Sequence, residues 1–336
     1  MDVTIVDIAR MAGVSLATVS RVINNPEKVA QGTREKVLKI MEEHNYIYNA
    51  LAGGLANKNT RTLGIIIPTI TNPIFALATN GFQKTAVRKG YSVLMGSAEY
   101  SADQEYDLVR LFLEKQVDGI VFTGRPTHPQ SVEYLRKRNI PFIVIWEKAG
   151  SEGMSYVTFD NALATRRAVD HLIDLGHRRI AFISGNFELS SRSKRRWQGY
   201  KESLQQANIP YDGDLVIQTE FKVSAGQAAA AQLLKLALPP TAIFCGTDLL
   251  AYGAMASVQK SGRKIGSDIS IIGFDDLEMS AVMNPPLTSI WIPAAEIGEI
   301  ASQTLIDILS GKTRGTVQHL LESKLIIRES VSAPAQ

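Results

Sequence analysis

Two stretches of the chain place a carboxylate where an apolar run ends: Asp248 in "AIFCGTD" and Asp275 in "SIIGFDD". A carboxylate there can cap the next helix, accept hydrogen bonds from a ligand's hydroxyls, or join a second acid in glycosidase-like acid–base work. Asp248 reads as a helix cap. Asp275 reads as a binding group, because Asp276 follows it and Pro285-Pro286 come soon after. No matched nucleophile or activated water accompanies either acid, so an enzyme is not expected. The densest cationic run is "SSRSKRRWQGY", with Arg192, Lys194, Arg195 and Arg196. Cations are disfavoured at a helix N-terminus. One held there is better placed to meet ligand oxygens, and arginine offers them a bidentate fork. Phe75, Trp146, Phe221 and Trp291 near strand ends have the faces to stack on a flat ligand or a sugar, though each alone reads more readily as core. His171 and His177 do not share a helical face, and Gly176 separates them. They read as a packed and a helix-terminal histidine, with no metal site.

Motif absences narrow the classes further. The chain lacks GxxxxGK[ST], GxSxG and HExxH, and its strand-to-helix turns lack GxGxxG, so no nucleotide or other cofactor is expected. The 336 residues allow two or three compact units. A single cysteine, Cys245, excludes an internal disulfide and fits a reducing compartment. Asp2 and Asp7 interrupt the N-terminus, so it is not read as a signal peptide. No apolar run approaches the roughly 18 residues of a membrane span. A cytoplasmic protein without a membrane partner is expected. Residues 1–60 hold seven Lys/Arg and six Asp/Glu, so any nucleic-acid contact rests on placement rather than on bulk charge.

The elements that must position these groups change character along the chain. Thr4, followed by Asp7 three residues on, predicts a capped helix over 5–11. Gly13 breaks it, and Ser15 caps a second helix over 16–23. In that helix Val19, Val22 and Ile23 turn inward, while Ala17, Thr18 and Arg21 lie outside. A third helix is predicted over 33–44, with Val37, Ile40, Met41 and His44 on one stripe. Three helices with a glycine-containing first turn form a helix-turn-helix pattern. Residues 46–61 read as a linker in which Asn49 caps a short helix through Ala56, weakened by Gly53 and Gly54. From Thr62, short apolar runs alternate with helical stretches over 74–89, 103–115 and 130–138. The pattern restarts with helices over 161–175, 195–207, 224–236 and 248–261, and a further helix over 294–310 follows. This alternation means two tandem α/β units built on parallel sheets, with a cleft between them. Ligands bind such sheets beyond the carboxyl ends of the strands.

The stretch "TIVDIARMAGVSLATVSRVINNPEKVAQGTREKVLKIMEEHNYIYNALAGGLA" resembles the DNA-binding segment and hinge of the lactose-repressor-type (LacI) regulators. "NPIFA", "HLIDLGHRRIAFISG", "RWQGY", "PTAIFCGTDLLAYGAM", "DISIIGFDD" and "PPLTSI" resemble that family's core, in order and over nearly the whole chain. The resemblance implies an α/β fold: an N-terminal helix-turn-helix head, then two Rossmann-like subdomains of periplasmic-binding-protein-like type. The implied division is a head over 1–47, a hinge helix and linker over 48–61, one subdomain over 62–160 with 292–318, and another over 161–291 with 319–330.

It also implies a ligand-responsive regulator, most often a repressor, that binds a palindromic operator in double-stranded DNA as a homodimer. No leucine-rich heptad tail follows Arg328, which favours a dimer over a tetramer. By match, Leu16 and Ala17 begin the reading helix, and Arg21 can fork onto guanine. Thr18, Ser20 and Asn24 serve phosphates or fix the helix. Thr4, Ser15 and Asn49 complete the DNA-facing set, and Leu55 matches the hinge leucine that wedges into the minor groove. The implied effector pocket is Ile74, Phe75, Thr123, Trp146, Arg196, Phe221, Thr247 and Asp275. Thr247 stands where many members carry Asn, Trp146 where several carry Asp, and Ile292 where some carry a polar residue. A sugar or sugar acid is the expected effector, with a nucleobase third. The alternative is a solute-binding or sugar-processing protein without regulatory DNA binding.

Overall fold

A computed structural model describes residues 3–47, 60–148 and 153–335 and divides the chain into two units, residues 1–60 and 61–336. In the first unit, α1 (Ile5–Ala12) opens on a complete capping box: the Asp7 amide donates to Thr4 Oγ1, and the Thr4 amide donates to the Asp7 carboxylate. Gly13 ends it at φ 66°, in the left-handed region that glycine enters without steric penalty. Ser15 caps α2 (Leu16–Asn24) by accepting from the Thr18 amide. After a 3₁₀ turn at Pro26–Lys28 comes α3 (Gln31–Glu43), which starts two residues earlier than its pattern indicates and has no side-chain cap. Ile8, Ala9, Ala12, Val19, Val22 and Val37 form the small core of this unit. His44 lies past the end of α3 and is exposed, so it leaves the predicted stripe.

The second unit holds two six-stranded sheets. The first contains β1 (Thr62–Ile67), β2 (Ser92–Ser97), β3 (Gly119–Thr123), β4 (Phe142–Ile145), β5 (Ser155–Phe159) and β11 (Gln318–Leu321), in the order β11-β5-β4-β3-β1-β2. The second contains β6 (Ile180–Ser184), β7 (Val216–Gln218), β8 (Ala242–Cys245), β9 (Ser270–Asp275), β10 (Thr288–Trp291) and β12 (Lys324–Ile326), in the order β12-β10-β9-β8-β6-β7. All pairings are parallel except that of β12 with β10. Strands buried on both faces explain the continuous apolar runs. In each sheet the second strand lies outside the first, so the order reverses beside β1 and beside β6. Such reversals leave a crevice at the carboxyl ends of the strands.

Helices α4 (Pro73–Arg88), α5 (Ala102–Glu114), α6 (Pro129–Lys137) and α12 (Ala294–Leu309) serve the first sheet. Helices α7 (Asn161–Asp174), α8 (Ser191–Gln206), α9 (Val223–Leu233) and α10 (Asp248–Lys260) serve the second, beside the short α11 (Glu278–Val282). α4 and α12 approach until a Cβ at Gly298 would lie 2.0 Å from the Ala78 carbonyl oxygen.

The chain passes between the sheets three times, after β5, after β10 and between β11 and β12. The last passage corrects the boundary drawn at 318/319. Residues 318–321 pair with β5 in the first sheet, and the chain joins the second sheet only at Lys324. β5 and α11 are further differences from the sequence pattern. β5 is half polar, with Ser155 and Thr158 buried, so it lacks the apolar run that marks its neighbours.

Candidate functional site

In the first unit, α2 presents Leu16, Ala17 and Arg21 to solvent, while Thr18 and Ser20 are half-buried. Its inward residues, Val19 and Val22, are buried. The Ser15 and Thr18 hydroxyls lie 2.9 Å apart and hold each other at the start of the helix. The Thr4 hydroxyl donates to Asp7 at 2.6 Å, so its main work is to close the capping box. Only the backbone of Asn24 is described, at the end of α2, and Asn49 and Leu55 lie outside the described residues. Among the described side chains of α2, Arg21 is the one cation on the exposed face.

In the second unit the crevice residues converge at strand ends. Ile74, Phe75, Trp146, Arg196, Phe221, Thr247 and Asp275 line one inner chamber, joined by Asn72, Tyr100, Ser190, Arg192 and Ser193. Thr123 lines a neighbouring side chamber with Glu105, Arg125 and Ser101. Its hydroxyl is buried without a hydrogen-bond partner, and its carbonyl accepts from Arg192 Nη1 at 2.8 Å. Trp291 lies apart, in a shallow pocket beside Ile292 and Pro293.

Each wall has a local cause. Asn72 caps α4 through the Ile74 amide and reaches Asp275 Oδ2 at 3.5 Å across the cleft. Trp146 turns the chain at the end of β4 with φ 69°, and its carbonyl accepts from Asn161 Nδ2 at 2.9 Å. Thr247 caps α10 by accepting from the Leu250 amide. Asp248 is therefore not the cap. It is fully buried and accepts from the Leu277 amide at 2.7 Å, Ser280 at 2.7 Å and Ser289 at 2.5 Å. These bonds fix the loop after β9, which carries Asp275. Asp276 follows at φ 51° and pairs with Arg328 at 2.7 Å.

The two arginines of the cationic run that reach the chamber are engaged differently. Arg196 is buried, its Nε donates to Asn161 Oδ1 at 3.0 Å and its Nη1 to the Gly246 carbonyl. Its guanidinium lies 3.6 Å from the centre of the Phe274 ring. Nε and Nη1 are thus engaged by the framework, so the Arg196 fork is already partly committed. Arg192, one helical turn earlier and on the same face, borders both chambers. α8 starts at Ser191 rather than at 195, so this residue falls within the helix. Burial pushes the Asp275 carboxyl up to about 8 despite Arg196, and burial lowers Arg196 to about 10. The inner chamber is thus built around a carboxyl that burial inclines toward its protonated form.

His177, not His171, is the packed histidine. Its ring bonds Thr241 at 2.9 Å and the Ser332 carbonyl at 2.8 Å, tying the C-terminal segment to the second sheet. Asn72, Tyr100, Ser190, Arg192 and Ser193 also line the chamber without being expected there from the sequence. Position after a strand end was the available signal for the first two, and a shared face with Arg196 for Arg192.

Comparison with known proteins follows the same division. Residues 4–49 match the model of bacterial regulatory proteins of the lacI family, and residues 169–331 match a periplasmic binding protein-like domain. The chain is 36% identical to catabolite control protein A of Priestia megaterium over 330 residues, covering 98% of this chain and 99% of that protein. It is 37% identical to the HTH-type transcriptional repressor CytR of Escherichia coli (strain K12) over 332 residues, covering 98% and 96%. Among solved structures, the lac repressor dimer bound to operator and the anti-inducer ONPF aligns with TM-score 0.87 at 28% identity, covering 99% of this chain and 100% of that one. A complex of the transcriptional regulator CelR with cellobiose aligns with TM-score 0.73 at 30% identity, covering 97% and 99%.

Proposed function

Because the chain belongs to the lacI family of bacterial regulatory proteins, a family of DNA-binding transcriptional regulators, we propose that it is a repressor that binds a palindromic operator as a homodimer and is controlled by a sugar or sugar acid. One observation carries the effector reading: seven side chains chosen from the sequence line a single chamber at strand carboxyl ends, around the buried Asp275. A carboxylate accepts two hydroxyl donors at once, as a polyol requires. Arg192 and Arg125 supply cations for an acidic sugar.

Arg21 is the base reader of α2, while Leu16 and Ala17 offer only apolar contact, such as to a thymine methyl. Homodimerisation is supported by the exposed apolar side chains of Leu77 on α4 and of Met279 and Val282 on α11, and by the dimeric lac repressor structure. Effector binding alters the angle between the two sheets at the three chain passages, and operator affinity changes with it. The coupling is reciprocal: effector and operator change each other's affinity by the same factor.

A thermal-shift screen of sugars, sugar acids and nucleobases tests the effector class. A ligand at 100 times its dissociation constant adds about 2.7 kcal/mol of stability. The hit is then titrated with and without saturating operator. No stabilisation by any sugar or sugar acid removes the effector class, and equal affinity in the two titrations removes the coupling.

A further inference from the structure

Three cavities share two lining residues, Tyr100 and Ser190, and Tyr100 is the aromatic one. Tyr100, which follows β2, lines the inner chamber of Asp275, the side chamber of Thr123, and an open groove of about 550 Å³ between the strand ends of the two sheets. Its ring stacks on Phe221, which follows β7 in the opposite sheet, with centroids 5.3 Å apart and planes inclined by 29°. Phe221 borders both the groove and the inner chamber. The stacked pair, together with Ser190, therefore forms the partition between them.

Both halves of the partition are held in place. The Phe221 ring lies so close over Gly185 that a Cβ there would come within 2.1 Å of it. Glu99 and Tyr100 are consecutive non-glycine residues in the left-handed region, at φ 45° and 59°, a conformation that surrounding contacts must maintain. Behind the pair, the inner chamber offers about 20 Å³ to solvent, room for about one water. A sugar ring cannot occupy that chamber while the partition keeps this geometry.

We propose that Tyr100 is the gate of the effector chamber and the roof over a seated effector, a positioning and specificity residue acting together with Phe221. This rests on the reading of the inner chamber as the effector site. A solute arriving in the groove meets Asn186, Gln218 and Glu220, hydrogen-bonding groups suited to a hydroxyl-rich molecule. To reach Asp275 it must part the stack. Once inside, its ring lies under aromatic faces, which favour the apolar C–H face of a sugar over a uniformly polar surface. The gate sets how fast effector exchanges, and the roof sets which ring faces are tolerated.

The gate can be tested without knowing the effector. Trp146 is 1% exposed on the chamber wall, and in a Trp197→Phe, Trp291→Phe background it is the sole tryptophan. Acrylamide quenching of its fluorescence then reads access to the chamber. Tyr100→Ala and, separately, Phe221→Leu are expected to raise the quenching constant several-fold. Tyr100→Phe, which keeps the ring, is expected to leave it unchanged. Near-ultraviolet circular dichroism of each variant checks the packing, and the Phe221 variant carries the test if the alanine variant does not fold. Unchanged quenching in both ring-removing variants overturns the gate. An equal rise in Tyr100→Phe assigns the effect to the hydroxyl and overturns it as well. If no sugar binds in the thermal-shift screen but the quenching result is as expected, the gate stands and the effector class falls.

Discussion

Asp275→Asn removes one ionisable group from the inner chamber with little change of shape, and the structure says how stability should respond to pH. Burial raises the folded-state carboxyl from 3.8 to about 8, against the opposing influence of Arg196. A group whose folded pKa is raised binds its proton more tightly in the native state. Its contribution to stability is complete below the unfolded value and is lost as pH rises toward the folded value. Between about pH 4 and pH 8 the native chain retains a proton at Asp275 that the unfolded chain has released. Over that window stability falls by 1.36 kcal/mol per pH unit from this residue alone. From pH 5 to pH 7 the loss is about 3 kcal/mol, and above about pH 8 it levels off.

The asparagine variant lacks this loss. The difference in unfolding free energy, variant minus parent, should therefore grow by about 3 kcal/mol from pH 5 to pH 7 and then flatten above about pH 8. Groups shared by the two proteins cancel in that difference. Urea denaturation at pH 5, 6, 7 and 9 measures it. In thermal melts the same change appears as a relative shift on the order of 6 °C. A pH-independent difference refutes the claim that burial dominates at Asp275. The same flat result is expected if Arg196 holds Asp275 ionised, because a folded value at or below 3.8 leaves nothing to titrate between pH 5 and pH 9, and the account of the chamber's charge then reverses. Effector affinity supplies a second check: hydroxyl donors favour the carboxylate, so affinity rises with pH until about 8 in the parent, and the variant loses that rise.

Two further predictions concern other parts of the chain. Arg21→Ala should lose about 1–3 kcal/mol of discrimination between operator and mutated operator, by fluorescence anisotropy, with effector affinity unchanged; loss of both refutes separable modules. Asp248→Ala leaves the Leu277 amide and the Ser280 and Ser289 hydroxyls without their shared acceptor. It should cost at least about 3 kcal/mol in urea denaturation and weaken effector binding through the loop that follows Asp275 at the end of β9. Unchanged stability would show that these donors find other partners.

Much of this architecture is legible in the sequence because parallel strands buried on both faces must be apolar, and helix ends carry their own chemistry. The Thr4–Asp7 box, Gly13 and Ser15 delimit the first two helices from local rules alone. β5 is hidden for the complementary reason: its Ser155 and Thr158 are buried polar residues, which the pattern of apolar runs passes over. The tail around 319–330 is hidden because two short strands, four and three residues long, pair with different sheets. Nothing local distinguishes which sheet a half-exposed strand of that length will join. Asp248 was misassigned because a carboxylate at a strand end caps or anchors depending on what comes back to meet it. Here Leu277, Ser280 and Ser289 return from some thirty to forty residues away.

The two arginines of α8 show where local reasoning stops. Arg192 and Arg196 are four residues apart and share a face, so the same spacing argument directs both into the cleft. What separates them is commitment. Arg196 is held through Nε by Asn161, through Nη1 by Gly246 and on its face by Phe274, so it builds the wall beside Asp275. Arg192 makes its bond to the carbonyl of Thr123 in the opposite sheet, beside Ser191, which donates to Glu147 across the same gap. A guanidinium that bridges the two sheets feels any change in their angle, and one embedded in a single sheet does not. The residue that selects the effector's charge and the residue that senses closure are therefore both better sought at 192 than at 196, though the sequence alone gave the second arginine the stronger claim.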